Sequence, residues 1–180
     1  MIERWPHPAA LEDEELLKAC TVGRGRSSGP GGQHRNKVET LVTITHEPTG
    51  LTAQAGERRS QIENHRMAVF RLRLLLATSV RVEPPRLRGM DLFSDEPAAS
   101  ALWRGRLKGR TIACNPGHRD YPALLAEAMD VLMDCGTDAA KAAGRLGVTT
   151  SQLVRLVKDH RPALAALNAA RAARGQRALR

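Results

Sequence analysis

Arg26-Ser27-Ser28-Gly29-Pro30-Gly31-Gly32-Gln33-His34-Arg35-Asn36-Lys37 is the stretch on which the reading of the chain turns. Three glycines and a proline within positions 29–32 exclude a regular helix or strand and predict an exposed loop that uses φ values open mainly to glycine. Arg24, Arg26, Arg35 and Lys37 supply charge that neutralises a polyanionic backbone. Gly31 and Gly32 remove the Cβ atoms that would hold the main chain away from its target, so the loop can press its own backbone against something.

Outward from the loop, residues 20–26 read as a weak strand and Thr40–His46 as a stronger one, β-branched residues alternating with a second apolar set. Pro48-Thr49-Gly50 is a turn, and Leu51–Ala55 returns antiparallel, making a hairpin. A helix starts at Ser60, with Glu63 completing a capping box. Its Ile62, Met67, Val69, Phe70, Leu72, Leu74, Leu75 and Leu76 are expected to cover the sheet, with Arg58, Arg59, Arg66, Arg71 and Arg73 lining the other side. Ahead of the first strand, residues 9–19 predict a short helix with Leu11, Leu16 and Leu17 inward. Beyond residue 81 the prolines and small residues predict a linker to about residue 100, and residues 102–112 read as a short strand or a basic arm, with Trp103 either on RNA or packed on the domain. Residues 122–135 predict an amphipathic helix with Gly136 just past its end. A helix capped by Thr137 or Asp138, a turn at Gly147–Thr150, a helix over 151–160 and an alanine-rich basic segment after Pro162 complete the chain. The run 139–156 resembles a helix-turn-helix whose exposed side shows Thr149, Thr150, Gln152, Arg155 and Lys158, and it is read equally as a nucleic-acid contact or as a structural or subunit-docking hairpin. The fold class is therefore α+β: a small antiparallel β-sheet packed on a long helix, followed by an all-α module. The domains are expected at 1–80, 81–120 (linker or arm) and 121–180.

Charge and composition narrow the partner. The 180 residues carry a formal net charge of +9 and a pI near 10.5, which points to an acidic partner, nucleic acid ahead of membrane. The charge falls in two basic blocks, residues 21–110 and 155–180, separated by a mildly acidic one. Only 3% of residues are aromatic, which argues against stacking single-stranded bases on a sheet and favours phosphate and shape contacts. Cys20, Cys114 and Cys135 are odd in number and far apart, so a reducing cytosol is expected rather than a disulfide framework. Cys114 and His118 lack a second ligand pair, so no metal and no cofactor is expected. The N-terminus has neither an apolar core nor the composition of a transit peptide, and the expected compartment is the cytoplasm.

Three ordered motifs then carry a resemblance: Ser28-Gly-Pro-Gly-Gly-Gln-His-x-Asn-Lys37, Thr45-His46-Glu47-Pro48-Thr49-Gly50, and Glu57-Arg58-Arg59-Ser60-Gln61-Ile62-Glu63-Asn64. Together, over roughly residues 20–77, they resemble the peptidyl-tRNA hydrolysis domain of class I peptide chain release factors. The resemblance implies that the loop enters the peptidyl-transferase centre of the large ribosomal subunit, where water cleaves the ester of P-site peptidyl-tRNA. Gly31, Gly32 and Gln33 would be the catalytic tripeptide, and the Gln33 amide nitrogen is the atom methylated in the family. A glutamine amide does not titrate, so Gln33 is no general acid or base, and no nucleophile set is evident around it. Its backbone N–H, freed by the glycines, can stabilise the developing oxyanion and the leaving ribose oxygen, an effect on the order of a hundred- to a thousandfold in rate. Its side chain would position water.

The RNA-facing set is Arg24, Arg26, Ser28, His34, Arg35, Asn36, Lys37, Arg58, Arg59, Gln61 and Arg66. Asn36 and Lys37 are expected to fix the loop base, and His34 to contact phosphate or pack the loop rather than act as a base. Arg35 stands where the family usually has valine. Full release factors carry a long stop-codon-reading domain ahead of the loop, for which the residues before Arg26 leave no home, so the picture resembles the short codon-independent proteins that rescue stalled ribosomes. The expected partners are the ribosome, through large-subunit rRNA and P-site peptidyl-tRNA, and the small subunit or mRNA channel through the C-terminal module, with no membrane. The alternative is an rRNA- or DNA-binding regulatory module whose loop does not hydrolyse.

Overall fold

A computed structural model describes residues 6–25, 40–83 and 99–180. Arg26, Ser28, Gly31, Gly32, Gln33, His34, Arg35, Asn36 and Lys37 lie outside the described residues, as does most of the expected linker. Two compact units are present, Leu11–Leu76 and a second made of Met1–Ala10 with Ala77–Arg180.

The first unit contains α1 (Asp13–Lys18), β1 (Cys20–Gly25), β2 (Leu41–His46), β3 (Leu51–Ala55) and most of α2 (Gln61–Ser79). The strands form one antiparallel sheet in the order β1-β2-β3. The central strand alternates, burying Val42, Ile44 and His46, and β3 buries Ala53 and Ala55 on the same side. From α2, Ala68, Val69, Leu72 and Leu76 are buried, as is Leu16 of α1. Ser60 accepts the Glu63 N–H on its hydroxyl at 3.4 Å, the N-cap contact that its motif predicts.

Two expectations for this unit are corrected. The helix read over 9–19 starts only at Asp13, where three acids fill the first turn and favour the positive helix end, and Pro8–Ala10 forms a separate 3₁₀ turn. The apolar set of α2 is not one stripe: Ile62, Met67 and Leu75 are 66%, 38% and 37% exposed. The run from Met67 to Leu76 is too dense in apolar residues to fit a single helix face, so its surplus faces outward. Arg73 goes the other way, nearly buried and paired with Asp13 at 2.6 Å.

The second unit is built round α4 (Tyr121–Asp134), in which every residue from Tyr121 to Leu132 is buried. The amphipathic reading of this helix is thereby corrected, because its polar residues Glu127 and Asp130 are drawn inside. Glu127 accepts from the Ser100 N–H and hydroxyl at 2.6 Å each, and Asp130 Oδ1 accepts from Arg81 at 3.0 Å and the Val82 N–H at 3.2 Å. The strand-or-arm reading of 102–112 gives way to a helix, α3 (Ala101–Arg106), and a two-stranded hairpin, β4 (Leu107–Lys108) with β5 (Thr111–Ile112), turning through Gly109 at φ +60°. Ser100 caps α3, and Trp103 is fully buried with its indole N–H on the Leu146 carbonyl at 2.8 Å. The packed alternative is thus the one realised for this side chain.

Three further helices follow: α5 (Ala139–Arg145) capped by Asp138, α6 (Thr150–Lys158) capped by Thr149, and α7 (Arg161–Ala172) with Pro162 in its first turn. No helix of the described residues is long and apolar enough to cross a membrane.

Candidate functional site

The sheet register fixes where the glycine-rich segment leaves and rejoins the fold. Gly25 is the cross-strand partner of Leu41, so the strands on either side of 26–40 close on each other at that pair. Antiparallel partners have Cα atoms about 4.5–5.5 Å apart, which ties the two ends of the segment together whatever lies between.

Asn64 holds the returning end. Wholly buried in the first turns of α2, its amide donates to the Thr40 carbonyl at 2.7 Å and the Arg58 carbonyl at 2.9 Å, and accepts the Arg58 N–H at 2.9 Å. One side chain thus joins the loop's exit, the turn carrying Arg58 and Arg59, and the helix carrying Gln61 and Arg66. That turn is tied a second time: Arg71 donates to the Gln54 carbonyl and to Glu57, each at 2.7 Å, and the hydrogen bond from Arg71 holds the Glu57 carboxyl below its usual range.

Of the residues singled out in the sequence, Arg24, Arg58, Arg59 and Arg66 are exposed and Gln61 is half-buried. Arg24, Gln61 and Arg66, from β1 and α2, line an open groove of about 320 Å³ together with Asp13, Val22, Val42, Ile62 and His65. Arg58 and Arg59 sit just before α2 and do not line it. The groove combines cations, a carboxylate, an amide and exposed apolar surface, with Val22 41% exposed on the edge strand.

The second motif does structural work. His46 is buried, its Nδ1 bonds the Thr49 hydroxyl at 2.8 Å, the Gly50 N–H closes on the His46 carbonyl at 2.8 Å, and Gly50 takes φ +67°. Burial lowers the His46 pKa, so the imidazole stays neutral in a tight turn. The Cys20 thiol, donating to the Leu16 carbonyl at 3.2 Å, has its pKa raised by burial, which suits packing rather than nucleophilic attack. Among the described residues no group of His, Cys, Asp and Glu could hold a metal ion. Sequence reasoning quoted Asn64 within its motif and gave it no role. The available signal was an uncharged amide four residues after a helix cap, able to both donate to and accept from main-chain groups of neighbouring segments.

Comparison with known proteins follows the motifs. The family model of the RF-1 domain matches residues 14–89. Peptide chain release factor 1 of Malacoplasma penetrans (strain HF-2) is 53% identical over 69 residues, 37% of this chain and 19% of that protein. Peptide chain release factor 2 of Campylobacter concisus (strain 13826) is 33% identical over 97 residues, covering 54% and 24%. Peptide chain release factor 1-like, mitochondrial, of Rattus norvegicus is 36% identical over 78 residues, covering 43% and 21%. The similarity to release factors is therefore shown for the loop-bearing part of the chain, which spans only about a fifth to a quarter of these relatives' length.

Proposed function

We propose that the chain hydrolyses the ester of P-site peptidyl-tRNA on the ribosome without reading a codon, releasing nascent chains from stalled ribosomes. The observation that carries this reading is the closed loop base, in which Gly25 pairs with Leu41 and Asn64 ties Thr40 to the turn of Arg58. Beside it, Arg24 and Arg66 are exposed, which supports a contact with an acidic partner there. A loop whose two ends are fixed can present a tripeptide at one depth, and placement is what a non-titrating catalyst contributes. Gly31 and Gly32 let the main chain reach the ester, the Gln33 N–H stabilises the developing oxyanion, and its side chain orients the attacking water. Arg26, Ser28, His34, Arg35, Asn36, Lys37, Arg58, Arg59 and Gln61 take up phosphate and shape contacts, and the Gln33 amide is the position to examine for methylation.

The test is release of labelled peptide from ribosomes stalled on an mRNA without a stop codon, with a stop-codon complex alongside. The wild type is expected to release peptide equally from both. Gly32→Ala should be nearly inert while still sedimenting with ribosomes, and Gln33→Ala, which keeps the backbone N–H and removes only the side chain that orients water, should lose less rate than Gly32→Ala. Release only with a stop codon would refute codon independence, and absence of release from either complex would refute the hydrolase reading.

A further inference from the structure

In the second unit the β4–β5 hairpin is seated on the turn between α5 and α6. Thr149, the cap of α6, donates its N–H to the Arg110 carbonyl at 3.1 Å, Arg110 Nη2 reaches the Val148 carbonyl at 3.5 Å, and the Leu107 side chain lies against Gly147. The hairpin and the start of α6 therefore form one surface. Lys108, Arg110, Thr150, Ser151, Arg155 and Lys158 are all exposed on these two elements.

The charge of this surface is not compensated. Residues 99–119 and the whole of α6 contain no acid. The unit's acids are largely committed elsewhere: Asp120 pairs with Arg106 at 2.5 Å, Asp134 with Arg145, Asp138 caps α5, and Glu127 and Asp130 are buried. Asp159 follows only at the far end of α6. Among the described residues, Lys108, Arg110, Arg155 and Lys158 have no acidic partner. At the other end of α6, the Thr149 hydroxyl takes the Gln152 N–H, while the N–H groups of Thr150 and Ser151 in the first turn have no intrahelical acceptor and sit beside two hydroxyls.

We propose that this face binds the phosphate backbone of a nucleic-acid duplex. Cations on two rigid elements, hydroxyls and a helix N-terminus are the donors that fix a protein on a duplex backbone. Stacking on single-stranded bases is disfavoured because Trp103 and Tyr121, the aromatic side chains among the described residues of this unit, are buried. The inference goes beyond the hydrolase reading, and its test needs no ribosome.

Fluorescence anisotropy of the full chain would be measured with a labelled RNA hairpin duplex, a DNA duplex and a single strand, over about 50–200 mM salt. Both doubles, Lys108→Ala with Arg110→Ala and Arg155→Ala with Lys158→Ala, should weaken duplex binding by roughly tenfold. Each should lower the log–log salt slope by about two. Arg174→Ala with Arg180→Ala removes the same charge and should leave both nearly unchanged. A preference for RNA or DNA assigns the source of the duplex. The proposal is overturned if neither duplex binds at the lowest salt, if the single strand binds as well, or if the control pair costs as much. It equally falls if only Arg24→Ala with Arg66→Ala, in the loop-bearing unit, abolishes binding.

Discussion

Asn64 satisfies three main-chain groups from two different segments, so its removal strands them rather than merely deleting a contact. Asn64→Ala should cost about 1–3 kcal/mol, because part-buried carbonyls and an N–H lose their partner and a buried side chain is truncated. The same change frees Thr40, the first described residue after the loop. Release should therefore slow at a temperature where the variant is still folded and still sediments with ribosomes. Thermal melting and single-turnover release, measured on one preparation, separate the two effects; a stability loss with an unchanged release rate would mean that Asn64 does not set loop placement.

At the scale of elements, the segment after α2 is locked by buried ionisable groups of opposite habit. His7 accepts the Ala9 N–H on Nδ1 at 3.0 Å and bonds the Val80 carbonyl through Nε2 at 3.2 Å, and burial lowers its pKa to about 4. Asp130, holding Arg81 and the Val82 N–H, has its pKa raised to about 7, chiefly by burial; its Oδ2 is enclosed without a partner. Between about pH 4 and 6.5 the unfolded chain protonates at His7 and the folded one does not, so stability from His7 rises with pH. Over about pH 4 to 7 the folded chain keeps a proton on Asp130 that the unfolded one has lost, so stability from Asp130 falls with pH. The two slopes oppose each other. Melting temperature against pH should be shallow in the wild type, rise with pH in Asp130→Asn, and fall with pH in His7→Gln. Parallel curves for all three would remove these residues from the account.

The same elements show what could be read in advance. The sheet, its turn and the start of α2 were legible because strand alternation, a Pro-Thr-Gly turn and a Ser cap are local signals, and residues 40–64 hold all three. The burial of α4 was not legible. Glu127 and Asp130 look like a polar face until Ser100, Arg81 and Val82, distant in sequence, supply their partners. For the same reason α3 was missed: a helix of six residues is set by its Ser100 cap and the burial of Trp103, not by periodicity. Of the candidate site, the basic residues were read individually, but the groove shared by Arg24, Gln61 and Arg66 depends on β1 and α2 coming together across the chain.

At the scale of the molecule, the basic C-terminal end bears on how the chain would reach the small subunit. The rescue resemblance would put a tail into the mRNA channel, yet the last residues fold back onto the second unit. Asn168 accepts the Leu179 N–H at 2.8 Å and donates to its carbonyl at 3.1 Å, and Gln176 donates to the Gly136 carbonyl at 3.0 Å. Arg171 bonds the Arg177 carbonyl at 2.7 Å and also the carbonyl of Thr137, a buried residue at φ +65°. A segment held by its own backbone in this way stabilises the turn between α4 and α5. Deleting residues 176–180 should lower the melting temperature by several degrees, since a few half-exposed hydrogen bonds contribute roughly 2–3 kcal/mol together. Release from stalled ribosomes should change little at temperatures well below the melt. If the deletion instead abolishes release and leaves the melting curve in place, the tail acts on the ribosome, and the fold-back seen here is the resting position of an arm that must detach to work.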